Sequence, residues 1–122
     1  MSLDDETRIV GSGPQETGSA PPPKAALVVV HSPDESSKGT RFALGAEDAT
    51  LGRDEGNTIL IASDQASRRH ARIFASGGAH VLVDLDSTNG TYLNSKLVKE
   101  QTLRHGDVVR IATTVLKYVV GA

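Results

Sequence analysis

Cysteine is missing from this chain of 122 residues. Disulfides and thiolate chemistry are thereby excluded, and the absence fits a cytoplasmic location. Tryptophan is missing as well, and two Phe and two Tyr complete the aromatic set. A core must therefore come from aliphatic side chains. There is also no row of aromatic rings on which the bases of a single-stranded nucleic acid could stack. The longest apolar run, Ala25 to Val30, falls far below the ~20 residues that cross a bilayer as a helix. The start of the chain has Asp4, Asp5 and Glu6 where a secretory signal needs cations. Net charge is −2, which supplies no overall attraction to nucleic acid or acidic lipid. These absences leave a cytoplasmic protein of one domain, with neither nucleic acid nor membrane among its expected partners.

Composition changes near Lys24. Before it lie the acids, then Gly11, Ser12, Gly13 and Pro14, then Gly18, Ser19, Ala20 and the triplet Pro21 to Pro23. Few apolar side chains are present to offset the entropy of ordering, so residues 1–24 read as a mobile tail, with the proline triplet a stiff spacer. Residues 25–122 read as the folded domain. Apolar residues there come in short runs of Val, Ile and Leu, separated by Gly, Asp, Asn and Ser, with almost no helical periodicity. Strands are predicted at 25–31, 40–44, 49–51, 58–61, 71–75, 80–84, 91–93, 107–111 and 115–120. Ser76-Gly77-Gly78-Ala79 supplies the positive-φ residues of a tight hairpin turn. Thr113-Thr114 gives a weaker turn signal, and Asn94 to Lys96 another reversal. Short strands at this spacing predict an all-β sandwich or small barrel.

Three segments hold the polar residues of interest. Leu51-Gly52-Arg53-Asp54 brings an arginine to the end of a strand. Ser67-Arg68-Arg69-His70 offers a hydroxyl, two guanidinium groups and an imidazole. Asp84-Leu85-Asp86-Ser87-Thr88-Asn89-Gly90-Thr91 combines a tight-turn dipeptide with neutral hydrogen-bonding groups. A phosphate monoester calls for this mixture: guanidinium groups match its oxygens bidentately, and hydroxyls and loop amides fill the remaining lone pairs. Taken singly, each residue has a plainer reading. Arg53 is a solvated surface arginine, Ser67 a turn residue, Asn89-Gly90 a hairpin turn, and His70 a hydrogen-bonded structural histidine.

Order and spacing carry more than any single segment. Gly52-Arg53, Asn57-x-Ile59, Ser67-Arg68-Arg69-His70-Ala71-Arg72-Ile73, Asp84-Leu85, Ser87-Thr88-Asn89-Gly90-Thr91, Tyr92-Leu93-Asn94 and Leu103-x-x-Gly106-Asp107 follow one another in this chain. The series resembles the signature of the forkhead-associated (FHA) domain family across residues 27–120. The resemblance implies an antiparallel β-sandwich of the FHA/SMAD-like type with its recognition loops at one end. The strand reading alone does not give that convergence, because consecutive hairpin loops fall on opposite ends of a sheet.

The resemblance further implies a module, without catalytic residues, cofactor or metal, that binds phosphothreonine in a partner protein downstream of a Ser/Thr kinase. Carried over, Arg53 and Ser67 would bind the phosphate and Arg68 would add a contact. Thr88 would support the pocket, and Asn89 would hydrogen-bond the peptide backbone. Gly52, His70 and Gly90 would hold loop shape, with Gly106 and Asp107 also part of the structural motif. Gln65 and Ser87 would contribute to reading residues beyond the phosphothreonine. Thr7, directly after three acids, resembles the tail phosphorylation motifs of some bacterial FHA proteins and is a candidate for capture by the domain itself. Two competing readings remain: a phospho-independent scaffold that binds through a sandwich face, and a small hydrolase or metalloenzyme using His70, Asp84, Asp86 or His105, with Ser67 and His70 as its nucleophile pair.

Overall fold

The computed structural model describes residues 20–121, and the predicted tail and Thr7 lie largely or wholly outside them. Two sheets face each other. The first has the strand order β9-β6-β5-β3-β4 and the second β2-β1-β11-β10-β7-β8. In chain order the strands are β1 (Ala25–His31), β2 (Arg41–Leu44), β3 (Ala49–Gly52), β4 (Ile59–Leu60), β5 (Ala71–Ser76), β6 (Ala79–Asp84), β7 (Thr91–Leu93), β8 (Lys96–Val98), β9 (Glu100–Thr102), β10 (Val108–Ile111) and β11 (Thr114–Val120). A single 3-10 turn at Glu35–Ser37, capped by the Asp34 carboxylate, is the helical element among the described residues. None of them forms a helix long and apolar enough to cross a membrane. The sandwich is the fold that the sequence pattern predicts.

Alternation explains the two layers. In β6, His80, Leu82 and Asp84 are buried while the residues between them are half-exposed. In β11, Thr114, Leu116 and Tyr118 point inward. Leu27, Leu51, Ile73, Leu82, Val109, Ile111 and Leu116 are almost fully buried between the sheets. Each such aliphatic side chain contributes about 1.5–3 kcal/mol relative to exposure.

The turns follow their sequence signals. Gly77 and Gly78 have φ of +57° and +79° between β5 and β6, and Asn94 and Ser95 have +50° and +70° between β7 and β8. Positive φ at both central residues matches the twist of a two-residue hairpin. The third turn carries its positive φ at Ala112, one residue before the predicted pair. Strands β8 and β9 are absent from the sequence prediction. Each is three residues long and largely exposed, and Lys99 between them takes the chain from one sheet to the other. No alternation marks strands of that kind.

One pairing positions the loops. Strands β3 and β4 are parallel, with Leu51 opposite Ile59, whereas the other pairs among the described residues are antiparallel. A chain leaving β3 must return to run alongside it in the same direction. It therefore leaves β4 at the same end of the sheet, and it re-enters at β5, whose first residue Ala71 pairs with both Leu51 and Asp84. Loops 53–58, 61–70 and 85–90 are thus gathered at one end.

Candidate functional site

Gly52 begins the site. A Cβ at this position would collide with the backbone carbonyl of Arg68 and lie 2.8 Å from Asn57 Nδ2. A glycine is required because two backbones touch here. Past it, the Arg53 amide donates to Ser67 O at 3.0 Å and the Asp54 amide to Arg68 O at 3.3 Å. Asn57 closes the same junction: its Nδ2 donates to Asp54 O at 2.8 Å and to Arg68 O at 2.7 Å. The exposed Arg53 side chain leans on the second loop, with Nε donating to Ala66 O at 3.2 Å. Its guanidinium is therefore fastened one residue from Ser67.

The second loop is tied to the third. The Ser67 hydroxyl accepts the Thr88 amide at 3.0 Å, an arrangement that leaves its proton to donate outward. Asn89 Nδ2 donates to Gln65 O at 2.8 Å and lies 3.5 Å from Gln65 Oε1. Its Oδ1 remains an acceptor. His70 is fully buried beneath. Its Nδ1 accepts the Ser67 amide at 3.0 Å, so the ring proton sits on Nε2, which donates to Gly90 O at 2.8 Å. Both ring nitrogens are thus engaged by backbone groups, and neither is bonded to the Ser67 hydroxyl. The arrangement of a nucleophile with its general base is not formed.

Asp84 supports the third loop from below. Its carboxylate accepts the Ser87 hydroxyl, the Ser87 amide at 3.2 Å and the Thr91 hydroxyl at 2.8 Å. The Ser87 hydroxyl in turn accepts the Gly90 amide at 3.0 Å, and Gly90 takes φ +89°. Burial pushes the Asp84 carboxyl up, but the two hydroxyls, the Ser87 amide and the nearby His70 together hold it below its ordinary value. Lys99 stands 3.9 Å away with its side chain mostly in solvent.

The side chains of Arg53, Arg68, Arg69, Thr88 and Asn89 are all exposed at this end, and Ser67 is half-buried among them. None of the three arginines is ion-paired among the described residues. Gly106 and Asp107 lie elsewhere, at the opposite end. There Asp107 accepts Asn94 Nδ2 at 2.9 Å and the Arg104 amide at 2.8 Å, and Gly106 has φ +92°. The sequence signature includes Asn57 and Asp84 but assigns neither a contact in the site. The available signal for Asp84 was its i, i+3 spacing to Ser87, the pattern of a side chain that caps its own turn.

The fold and site together define a β-sandwich recognition module that presents neutral and cationic donors from loops instead of from an enclosed cleft. Residues 49–112 match the FHA domain family, and the chain belongs to that family. It is 40% identical over 80 residues to the FHA domain-containing protein FhaB of Mycolicibacterium smegmatis, covering 65% of this chain and 52% of that protein. It is 35% identical over 113 residues to an oxoglutarate dehydrogenase inhibitor of Corynebacterium efficiens, covering 91% of this chain and 78% of that one. The chain thus spans only about half of the first relative. Among solved structures, Mycobacterium tuberculosis EmbR in complex with a low affinity phosphopeptide superposes with a TM-score of 0.73 at 29% identity, covering 82% of this chain and 25% of EmbR.

Proposed function

We propose that this chain is a phosphothreonine-dependent docking module of cytoplasmic Ser/Thr-kinase signalling, and not an enzyme. The observation that carries the reading is the Arg53 guanidinium, fastened to the Ala66 carbonyl beside a Ser67 hydroxyl whose proton is left to point outward. Arg53 and Ser67 bind the phosphate, with Arg68 as a further cation. The amide that Thr88 donates to Ser67 stiffens the pocket. Asn89, tethered through its Nδ2, offers Oδ1 to a backbone N–H of the peptide. Gly52, His70 and Gly90 set the loop shape from beneath. The EmbR phosphopeptide complex and the regulatory names of the relatives support a binding role.

A phosphothreonine carries nearly two negative charges at neutral pH. Each charge-assisted hydrogen bond to it contributes about 1.5–3 kcal/mol. Calorimetry with a phosphothreonine peptide and its unphosphorylated twin tests the reading. Only the phosphorylated peptide is expected to bind, and Arg53→Ala is expected to abolish binding while leaving the melting temperature nearly unchanged. Equal affinity for both peptides would refute the proposal.

Thr7 is proposed as a ligand in cis. Ala20 packs beside Gly78, in the turn remote from the loops, so the tail has to run the length of the domain. The β6 strand accounts for about 20 Å of that path. A flexible chain of the length that separates Thr7 from Ala20 would have a root-mean-square span of about 20 Å, and about 45 Å if extended. The length therefore suffices for a phosphorylated Thr7 to span the distance to the loops, at an effective concentration of about 1 mM.

A further inference from the structure

We propose that the outer face of the β2-β1-β11-β10-β7-β8 sheet is a second docking surface, for an acidic peptide segment rich in aliphatic side chains. A two-layer antiparallel sandwich ordinarily turns polar residues outward. This face does not. The strand registers set Leu97, Tyr92, Arg110 and Val115 side by side in one row across β8, β7, β10 and β11. A second row sets Val108, Lys117, Val28 and Arg41 side by side across β10, β11, β1 and β2. Leu97 is 61% exposed, and Val30, at the irregularity where β1 meets β11, is 46% exposed.

The charges on these rows have one sign. Arg110, Lys117 and Arg41 are all exposed and no carboxylate shares the rows, although the chain as a whole has net charge −2. Such a surface complements a partner that pairs acids with aliphatic groups. The alternatives fit less well. Tyr92 is the one aromatic ring in the rows and the Arg110 guanidinium already covers it at 4.2 Å, which removes a stacking platform for bases. No Trp or Phe protrudes from the face to enter a bilayer. The face is continuous with the phosphate-binding end, because the Leu97 side chain lies against Gly90. A partner held by its phosphothreonine can therefore lay an adjoining segment along the valines.

The test is a methyl-detected NMR titration of the full chain with a synthetic, unphosphorylated peptide of alternating leucine and glutamate. Shifts are expected at the Leu97, Val108 and Val115 methyls. They should weaken about tenfold in Lys117→Glu and fade as salt shortens the Debye length to about 3 Å at 1 M. The Lys117 side chain is exposed and makes no ion pair among the described residues, so this variant should keep its structure. Arg110→Glu gives a second arm, with its melting temperature recorded because Arg110 also covers Tyr92. Arg53→Ala should leave the titration unchanged, which separates this surface from the phosphothreonine site: loss of phosphopeptide binding alone would not touch it. The proposal is overturned if the methyls do not move, if Lys117→Glu has no effect, or if a leucine–lysine peptide binds as well. It is equally overturned if phosphatidylserine vesicles or duplex DNA shift the same methyls more strongly than the acidic peptide.

Discussion

His80 of one sheet and Tyr118 of the other meet inside the core, with the phenol hydroxyl donating to His80 Nδ1 at 2.7 Å. The opposite ring nitrogen donates to Gly45 O at 3.0 Å. The rings meet edge to face, their centres 5.8 Å apart, and both side chains are essentially inaccessible. Removing the hydroxyl leaves a buried acceptor unpaired. Tyr118→Phe should therefore cost about 1–3 kcal/mol, read as a lowered denaturation midpoint with an unchanged slope.

The same pair makes a prediction at alkaline pH. Burial, aided by the Asp107 charge, raises the Tyr118 hydroxyl above its ordinary value. In the unfolded chain it ionises near its reference value of about 10, before the folded chain does. Its contribution is thus fully present below that pH and is lost as pH rises beyond it. The stability gap between the wild-type chain and Tyr118→Phe should narrow above pH ~10. A constant gap in urea titrations across that range would show that the hydroxyl does not titrate as its surroundings require.

Asp84 acts in the opposite direction. Its carboxyl is held below the ordinary value, so its contribution is present above the unfolded value and lost as pH falls through the folded one. Asp84→Asn should destabilise the domain at neutral pH and flatten its acid unfolding. It should also weaken phosphopeptide binding, because the acceptor of the Ser87 and Thr91 hydroxyls loses its charge and the Ser87 amide meets an NH2 group in place of Oδ2. Lys99→Ala is the control. It removes only a long ion pair whose cation lies mostly in solvent, worth about 0–1 kcal/mol.

Asn57 separates loop position from loop identity. Asn57→Asp keeps the size of the side chain but turns an oxygen toward the Asp54 and Arg68 carbonyls in place of their donor. A loss of about 1–3 kcal/mol in stability is expected, together with a fall in phosphopeptide affinity. If stability falls and affinity for the phosphopeptide stays at the wild-type level, Asn57 does not set the distance between Arg53 and Ser67.

Phosphorylation at Thr7 should block binding of an external phosphothreonine peptide, and Thr7→Ala should leave the site open under the same kinase treatment. Competition measured by fluorescence anisotropy decides the matter. Equal affinity of the phosphorylated chain and the Thr7→Ala chain for the external peptide would rule out capture in cis.

Much of the architecture was legible because burial writes a period of two into a strand. Strand β6, with His80, Leu82 and Asp84 inward, is a clear case, as are the glycines of the β5–β6 turn. The parallel β3–β4 pair was not legible. Strand β4 is two residues long, too short for any pattern to specify its direction. The edge strands β8 and β9 escaped for a related reason, since an exposed strand has no buried face to mark. In the site, motif order drew attention to Arg53, Ser67 and Asn89 as surface groups. The supporting contacts of Asn57 and Asp84 required coordinates, because each reaches backbone or hydroxyl partners that the sequence presents only as ordinary loop residues.

The pairing of β1 with β11 brings Lys24 and Gly121 together, the Gly121 amide donating to the Lys24 carbonyl at 2.8 Å. Both ends of the sandwich therefore sit at one corner, remote from loops 53–58, 61–70 and 85–90. Joined within a longer polypeptide, the domain hangs from its neighbours as a side branch, with its binding end clear of both junctions. Under tension the same geometry is a weakness. Force applied at adjacent ends of two antiparallel strands falls on one hydrogen bond at a time. The domain should open like a zipper from Ala25 and Val120, at lower load than a fold whose terminal strands are pulled in shear.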